Sequence, residues 1–449
     1  MQLSPLKPSR LVLSFLLLNP ASSLCHAQHS PASKDTIATH HYRNLAAEQG
    51  LSAKEIQTHI DATFNQLFHG DPGNQAIYYT AGSNAQGPLA YVTDVANHDA
   101  RTEGMSYGMM IAVQLNHREE FDALWNWANT YMLITDPANP ANGYFAWSMN
   151  TDGTPRSDSP APDGEEYFVM SLYFAANRWG SGQGIYNYKA QADHLLSLIR
   201  HHPVQTGTAP FRIHPNDPPF VSTHTNPSAP PRKVTIGPMV NEAAHMIVFV
   251  PSAGANTYSD PSYHLPAFYE LWSRWGPVED REFWATAAET SRHYFVQATN
   301  PTTGLSPDYA TFDGKPQPTS FNPMSANFSY DSWRTAANWS VDQSWWNKNP
   351  NAQVLSDRIQ SFLFAQGIHT FADRYTLNGK PLSTRHSPGM VATTAVASLA
   401  ATDGQTASAF VKELWNTPTP SGEQRYYDGL LYMMALLHTS GQFRIWGPK

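Results

Sequence analysis

The chain is organised around one segment, Asp99-Ala-Arg-Thr-Glu103-Gly-Met-Ser-Tyr-Gly108-Met-Met-Ile-Ala-Val-Gln114. It is predicted to begin as a loop and to continue as a helix, because the apolar residues within 109–113 give a helix one buried side. Glu103 lies where that helix begins. Because the first backbone N–H groups of a helix have no partners within it, a carboxylate there is electrostatically favourable. Position alone therefore predicts that Glu103 caps the helix.

A second interpretation of the same segment is a serine nucleophile, since Gly104-Met-Ser106-Tyr-Gly108 fits the G-x-S-x-G pattern. That pattern marks an exposed serine only where a strand turns sharply into a helix within an α/β sheet. The sequence on either side shows no alternation of strands and helices. An esterase that uses Ser106 therefore remains an alternative with little support from its surroundings.

Composition limits the kinds of partner that the protein binds. The 449 residues carry a formal net charge of −8, and apolar and aromatic fractions of 41 % and 12 % provide for a large core. The sequence has no cluster of lysine and arginine suited to nucleic acid, no glycine-rich phosphate loop and no H-E-x-x-H motif. Its 19 histidines lack metal-ligand spacing. We therefore predict no nucleic-acid partner, no metal and no cofactor, while the many tryptophans and tyrosines suit a cleft that stacks on sugar rings.

The first 27 residues have the pattern of a secretory signal peptide. Two basic residues precede the apolar run Leu11–Leu18, and Cys25-His-Ala27 ends in a small residue suited to cleavage. The run is too short to span a membrane. We therefore predict a secreted or periplasmic protein with no membrane attachment after cleavage, and a disordered polar segment over residues 28–40. Loss of the two basic residues would lower the net charge from −8 to −10 and leave no cysteine.

From residue 43 onward the hydrophobic pattern is that of roughly twelve helices in six consecutive pairs. The second helix of each pair is the more apolar, and a polar or aromatic residue stands near its start. These residues are Glu103, Asp163, Tyr263, Asp331, His386 and the pair Tyr426 and Tyr427. If the second helices form an inner ring, all six starts line one cleft at one end of it. We therefore predict an all-α fold, a single (α/α)6 barrel over residues 41–449, with its function in the loops of one rim.

Some segments of the pattern are not helical. Two strand-like pieces, Ala76–Thr80 and Leu89–Thr93, lie before the second helix, and the proline-rich segment 203–260 contains Lys233–Ile236 and Met246–Val250. A structureless loop as long as 203–260 is uncommon in a compact domain. We therefore predict a hairpin or a lid beside the cleft in that segment.

Three of the helix starts carry carboxyl groups, Glu103, Asp163 and Asp331. Hydrolysis of a glycosidic bond needs two carboxyl groups with opposite tasks, one protonated to release the leaving oxygen and one ionised. A helix start lowers a carboxyl pKa, so a proton donor there needs a neighbouring carboxylate that raises it, and Asp163 is the candidate. Each residue also has a structural alternative, because Asp163 and Asp331 could cap their helices and Asp331 could pair with Arg334.

Five motifs follow one another along the chain. They are Arg101-Thr-Glu-Gly-Met-Ser-Tyr-Gly-Met-Met110, Gly143-Tyr-Phe-Ala-Trp-Ser148, Ala161-Pro-Asp-Gly-Glu-Glu-Tyr167, Ser259-Asp-Pro-Ser-Tyr-His-Leu-Pro266, and Trp415-Asn-Thr-Pro418 with Arg425-Tyr-Tyr-Asp428. Together they resemble glycoside hydrolase family 8, and within it the reducing-end xylose-releasing exo-oligoxylanases. The resemblance runs from about Tyr42 to Trp446. It implies an (α/α)6 barrel, an inverting mechanism and the release of xylose from the reducing end of β-1,4-xylo-oligosaccharides.

Carried over by motif, the resemblance implies a role for each candidate residue. Glu103 would be the general acid and Asp331 the general base. Asp163 would bind the sugar in the −1 subsite, and Tyr263 would hold the attacking water. The residues that would contact the substrate are Trp147, Arg334, Arg385, His386, Tyr426 and Tyr427. From pattern alone, Tyr263 and Trp147 could equally be core residues. An inverting mechanism predicts that the carboxyl groups of Glu103 and Asp331 lie about 6.5–9.5 Å apart.

One position departs from the resemblance. The exo-oligoxylanases close the cleft beyond the +1 sugar with a Leu-His-Pro loop, whereas this chain reads Thr384-Arg385-His386-Ser387-Pro388-Gly389. An endo-acting family 8 hydrolase of xylan therefore remains the alternative in the same class, with β-glucan or chitosan less favoured as substrates. A non-catalytic carbohydrate-binding barrel is the alternative from another class. We expect the protein to be a monomer.

Overall fold

The computed structural model describes residues 36, 40–157, 159–209 and 232–448. The predicted signal peptide and most of the predicted disordered segment lie outside the described residues. The described residues belong to one compact unit. None of the helices in this part of the chain is both long and apolar enough to cross a membrane.

Twelve helices of nine or more residues lie within the described ranges, as the hydrophobic pattern predicts. They are α1 (Ala53–His69), α2 (Thr102–Leu115), α3 (Arg118–Trp127), α4 (Pro162–Trp179), α5 (Tyr188–His201), α6 (Pro266–Trp275), α7 (Arg281–Ala298), α8 (Trp333–Trp346), α9 (Pro350–Ala365), α10 (Pro388–Val396), α11 (Gly404–Asn416) and α12 (Arg425–Thr439). A capping box of Ser52 and Glu55 starts α1.

The second helix of each pair lies inside the first. In α2 every residue from Gly104 to Gln114 is buried, whereas α1 buries one stripe that includes Ile56, Ile60 and Phe64. This difference is expected when one helix is enclosed on all sides and the other faces solvent on one side. The even-numbered helices therefore form an inner ring and the odd-numbered helices an outer one.

The inner ring closes on itself. Helix α2 packs against α4 and α12, and α6, α8, α10 and α12 pack against each other in that order. Between α4 and α6 the rings of Tyr167 and Phe268 lie 5.2 Å apart, and the Tyr269 hydroxyl donates to Glu166 at 2.6 Å. The architecture is the predicted (α/α)6 barrel.

A five-stranded antiparallel sheet lies at one rim, in the order β1 to β5. Its strands are β1 (Tyr78–Asn84), β2 (Gly87–Asp94), β3 (Asp99–Arg101), β4 (Ser148–Asn150) and β5 (Pro155–Ser157). The sequence predicts β1 and β2 approximately and misses the other three, which are only three residues long. Strand β3 pairs with both β2 and β4 and leads directly into α2. The sheet therefore holds the start of α2, and with it Glu103, in place.

The segment 203–260 contains two short antiparallel pairs. Strand β6 (Gln205–Ala209) pairs with β7 (Arg232–Ile236), and β8 (Val240–Asn241) pairs with β9 (Met246–Ile247). The predicted hairpin is thus confirmed. The predicted strand Met246–Val250 is shorter than expected, and the lid role stays a prediction because residues 210–231 lie outside the described ranges.

Three inner-ring helices begin or end differently from the prediction. The predicted start at Tyr263 is a 3-10 turn, Pro261–Tyr263, and α6 begins only at Pro266, whose fixed φ suits the first turn of a helix. Asp331 lies in the turn before α8 rather than within that helix. Helix α10 ends at Val396 and continues as one 3-10 turn. Tyr263 and Asp331 are therefore presented by turns.

Candidate active site

One buried guanidinium joins the three predicted carboxyl groups. Nη1 of Arg334 lies 3.0 Å from Glu103 Oε2 and 3.1 Å from Asp163 Oδ2. Nη2 of the same side chain lies 3.2 Å from Asp331 Oδ1 and 2.9 Å from the Ser262 hydroxyl. The starts of three inner helices thus meet at Arg334, as their position at one end of the ring predicts.

The capping interpretations of these carboxylates are wrong. The N-cap residues are Arg101 for α2, Ala161 for α4 and Ser332 for α8, and none of these three side chains makes a capping hydrogen bond. Asp163 Oδ1 accepts from the N–H of the adjacent Gly164 at 3.0 Å, but Asp163 is not the N-cap of α4. Glu103 and Asp163 occupy the second helical position, from which their side chains reach the centre of the ring. The alternative pairing of Asp331 with Arg334 is confirmed, so this contact belongs to the site.

The environment of Glu103 favours the protonated carboxyl group. Burial raises its pKa to about 7, the negative charges of Asp163 and Asp331 act in the same direction, and Arg334 opposes them. The Tyr426 hydroxyl donates to Glu103 Oε1 at 3.0 Å. Burial also raises the pKa of Asp331 from its ordinary value, with Arg334 opposing. Glu103 therefore keeps its proton up to a pH near 7, well above the range in which an ordinary glutamate loses it.

Glu103 and Asp331 face the same cavity of about 340 Å³. Its lining residues are Asp94, Ala96, Asn97, Arg101, Glu103, Tyr330, Asp331, Glu423, Gln424, Tyr426 and Tyr427. Arg101 is fixed by Asp94 and Asp99, each at 3.1 Å, and its guanidinium lies 5.4 Å from the ring of Trp147. The cavity is thus a cleft that brings Glu103 and Asp331 together with three tyrosines and other charged side chains.

The aromatic candidates lie around this cleft. Tyr263 is buried, and the Arg334 guanidinium lies 5.5 Å from its ring centre, so Tyr263 belongs to the site. Tyr426 is only 3 % exposed, and Tyr427 is the more accessible ring of that pair, with its hydroxyl donating to a backbone carbonyl at 3.0 Å. Trp147 is half-buried and donates from Nε1 to a serine hydroxyl at 2.8 Å.

Known proteins match this chain over most of its length. The family model described as "Glycosyl hydrolases family 8" matches residues 85–231 and 239–441. The chain belongs to glycosyl hydrolase family 8. It is 42 % identical over 414 residues to a reducing end xylose-releasing exo-oligoxylanase of Halalkalibacterium halodurans, which covers 92 % of this chain and 96 % of that protein. The protein is therefore a glycoside hydrolase.

Two solved structures of the family are similar throughout. A xylanase of Teredinibacter turnerae, solved as a catalytic mutant with xylohexaose, is 47 % identical, with a TM-score of 0.85 over 92 % of this chain and all of that chain. Rex8A of Paenibacillus barcinonensis, solved with xylose, is 40 % identical, with a TM-score of 0.80 over 92 % and 100 % of the two chains. Both similarities support the barrel assignment.

In this family 8 hydrolase, Arg385 and His386 lie apart from the Arg334 cluster. Arg385 donates from Nη1 to Asp373 at 3.1 Å and pairs through Nη2 with Asp428. His386 bonds through Nδ1 to the Phe371 carbonyl at 2.8 Å. Arg385 is therefore attached to the start of α12, next to Tyr427. Contact of either residue with a substrate stays a prediction.

Ser106 is part of the core of the hydrolase. It is fully buried within α2, and its hydroxyl donates to the Glu103 carbonyl at 3.0 Å. A nucleophile elbow requires an exposed serine on a sharp strand-to-helix turn. The esterase interpretation of Gly104–Gly108 is therefore wrong.

Several residues of the site are not predicted from the sequence. The Tyr107 hydroxyl lies 3.2 Å from Arg334 Nη1, and its spacing of four residues from Glu103 is a signal that could have identified it. Asp260 is fully buried, 4.0 Å from Arg334 Nη2, and precedes Tyr263 in a recognised motif. Asp308 lies in a loop that carries no pattern at all.

Proposed function

We propose that this protein is an inverting glycoside hydrolase that cleaves β-1,4-xylo-oligosaccharides and releases xylose from the reducing end. The observation that carries the proposal is the pair of carboxyl groups at the cleft floor. Glu103 has a pKa raised to about 7, and Asp331 binds the opposite nitrogen of the same guanidinium. Two carboxyl groups in different environments are what an acid and a base of one reaction require.

The proposed reaction moves two protons. Glu103 gives its proton to the glycosidic oxygen as the bond to the anomeric carbon breaks. A water attacks that carbon from the opposite face and loses a proton to Asp331, so the product has the inverted configuration. Exchange with solvent then returns Glu103 to its protonated and Asp331 to its ionised form. Arg334 balances the negative charge of the carboxylates throughout.

The other site residues bind or orient the substrate in this proposal. Asp163 bonds the hydroxyl groups of the sugar in the −1 subsite, and Tyr263 orients the attacking water. Trp147 and Tyr427 offer faces on which pyranose rings stack. Tyr426 holds the carboxyl group of Glu103 through its hydroxyl. These roles follow the matched motifs, and the meeting of the side chains around one cleft supports them.

The substrate class rests on the relatives. The curated relative from Halalkalibacterium halodurans is named a reducing end xylose-releasing exo-oligoxylanase, and the two solved relatives hold xylohexaose and xylose. A cleft lined by tyrosines and by many polar side chains is compatible with an oligosaccharide, which offers both ring faces and hydroxyl groups. Release of single xylose units requires that the cleft be closed beyond the +1 sugar.

An endo-acting xylanase is the second candidate, and Arg385 is the observation that favours it. It stands where the resembled exo-oligoxylanases have the leucine of the closing loop. In this chain Asp373 and Asp428 hold its guanidinium, so the side chain is drawn toward α12. The relative from Teredinibacter turnerae is named a xylanase and was solved with six-sugar xylohexaose.

The experiment that separates the two candidates follows the products from xylohexaose and from borohydride-reduced xylohexaose over time. Early xylose and xylopentaose from the native sugar, with the reduced sugar inert, supports release from the reducing end. Cleavage of both sugars in mid-chain supports the endo-xylanase. If the enzyme cleaves neither sugar, both candidate functions are wrong, and glucan and chitosan oligomers are the next substrates to test.

We also propose that the protein is exported and acts as a monomer. The signal-like pattern of residues 1–27 supports export. The meeting of Glu103, Asp163 and Asp331 within a single chain supports a monomer, since no second copy is needed to complete the site. N-terminal sequencing of the secreted protein tests the first proposal, and light scattering at working concentration tests the second.

A further inference from the structure

Asp308, in the loop between α7 and α8, lies beneath the turn that carries Asp331. Its side chain is buried, and Oδ1 accepts from the Ser329 N–H at 3.2 Å and the Ser332 N–H at 3.1 Å. The Ser332 hydroxyl lies 2.9 Å from the same oxygen. One carboxyl oxygen therefore holds both ends of the Ser329–Ser332 turn.

The position of Asp331 depends on this turn. Asp331 lies between the two residues whose N–H groups Asp308 binds, and its own carbonyl accepts from the Arg334 N–H at 3.2 Å. Its side chain reaches the cleft and is 29 % exposed, so Asp331 is not itself held by surrounding core. The bonds to Asp308 at both ends of the turn, together with the Arg334 N–H on the Asp331 carbonyl, fix its backbone.

Asp308 is in turn held firmly. Its N–H donates to the Asn327 carbonyl at 3.0 Å, and the N–H of the adjacent Tyr309 donates to the Ser325 carbonyl at 2.8 Å. The residue just before the turn, Phe328, forms an antiparallel bridge with Tyr375. The backbone is therefore fixed both at Asp308 and just before the turn that Asp308 holds.

We propose that Asp308 is a positioning residue for the general base, a role that rests on the proposed function of Asp331. In an inverting reaction the base must meet a water that stands in line with the breaking bond. A displacement of about 1 Å from such a geometry costs about 100-fold in rate. Without Asp308 the turn loses its shared acceptor, and Asp331 shifts while Glu103, on another helix, stays in place.

The test compares Asp308→Ala with Asp308→Asn. An amide has the same shape as the carboxyl group and keeps an acceptor oxygen for the Ser329 and Ser332 N–H groups, so Asn is a close replacement for Asp308. We expect Asp308→Ala to lower kcat about 100-fold with KM changed less than about threefold. Asp308→Asn should recover most of that loss.

Two substrates distinguish a displaced general base from the loss of the general acid. β-Xylobiosyl fluoride needs no proton from a general acid but still needs the base and its water, whereas xylohexaose needs both. We expect Asp308→Ala to lose kcat on both substrates, as a displaced base requires, and Glu103→Gln to lose it on xylohexaose alone. Ser332→Ala removes the hydroxyl that lies 2.9 Å from Asp308 Oδ1 and that accepts from the Ser329 N–H at 2.8 Å, but it keeps both N–H groups that Asp308 binds, so it should give an intermediate loss.

Asp280→Ala is the matched control for loss of a buried aspartate. Asp280 is fully buried between α6 and α7 and bonds to Arg200 at 2.8 Å and His201 at 2.6 Å. We expect this variant to lower Tm without lowering kcat per folded molecule. If Asp308→Ala behaves in the same way, with kcat retained on both substrates, its positioning role is overturned. Wild-type enzyme inactive on both substrates would instead refute the proposed function itself.

Discussion

Arg334 Nη1 lies 3.0 Å from Glu103 Oε2, although the two residues are 231 positions apart in the chain. The contact exists because α2 and α8 both begin at the same end of the inner ring. A buried guanidinium opposes the rise in the pKa of Glu103 that burial and two neighbouring carboxylates cause. The pKa of about 7 that results suits a group that must donate a proton near neutral pH.

The proposed acid and base are tested by conservative substitution. We expect Glu103→Gln and Asp331→Asn each to lower kcat on xylohexaose by about 10²–10⁴-fold, because each removes one proton transfer and keeps the shape of the side chain. Circular dichroism should show folded protein in both cases. A variant that retains more than a tenth of wild-type kcat would lose its assigned role.

The pH profile of kcat/KM should be bell-shaped. Glu103 must be protonated, so the rate falls as pH rises through its pKa of about 7. Asp331 must be ionised, so the rate falls as pH drops through its pKa, which lies above the ordinary aspartate value. Steady-state rates on xylohexaose from pH 4 to 9 measure both limbs. A profile flat between pH 6 and 9 contradicts the assignment of Glu103.

Asp163→Asn should move the alkaline limb of that profile to lower pH. The negative charge of Asp163 raises the pKa of Glu103, so its removal makes Glu103 lose its proton earlier. Weaker sugar binding would lower the height of the profile without moving the limb, and so the two effects are separable. A limb that stays in place would show that the charge of Asp163 does not raise the pKa of Glu103.

The free energy of unfolding should also depend on pH through the carboxyl group of Glu103. The folded pKa of Glu103 lies near 7 and the unfolded one near its ordinary value of 4.5, so the folded state binds more protons between these values. Its contribution to the free energy of unfolding therefore falls as pH rises through this window. We expect Glu103→Gln to raise Tm relative to wild type at pH 8 more than at pH 5. An equal difference at both pH values contradicts the shifted pKa.

Close packing of α2 against α4 should make Gly164 intolerant of a side chain. A Cβ there would lie 2.9 Å from the Thr102 carbonyl carbon, a backbone atom at the start of α2. We expect Gly164→Ala to destabilise the fold by about 1–3 kcal/mol and to disturb Glu103 and Asp163 together. Gly447→Ala is the control, because its Cβ would meet only an ordinary contact at 3.7 Å.

Helix periodicity predicts much of this fold because the inner and outer helices differ so strongly in burial. Helix α2 is buried on all sides and α1 on one stripe, and that contrast is visible in the sequence as apolar content. The contrast is enough to predict that Glu103, Asp163 and Asp331 lie at one end of the ring. The three-residue strands β3, β4 and β5 are too short to show a period of their own, and their pairing depends on distant partners.

Contacts between distant loops are the part of the site that the sequence does not predict. Position alone predicts capping for Glu103, but tertiary contacts with Arg334 and Tyr426 determine where its side chain lies. Asp308 has no periodic or motif signal, since its role depends on a turn more than twenty residues further along the chain. The resemblance identifies Asp331 by motif, and only the folded chain shows what supports it.

The configuration of the anomer formed first shows whether Glu103 and Asp331 act by inversion. Proton NMR of wild-type enzyme on xylohexaose, recorded before the anomers equilibrate, reports the configuration at the new reducing end. We expect the α-anomer to appear first from the β-linked substrate, because water attacks opposite the leaving oxygen. Initial formation of the β-anomer would contradict an inverting mechanism. Retention requires a nucleophile about 5 Å from the acid, whereas inversion requires a base that activates water.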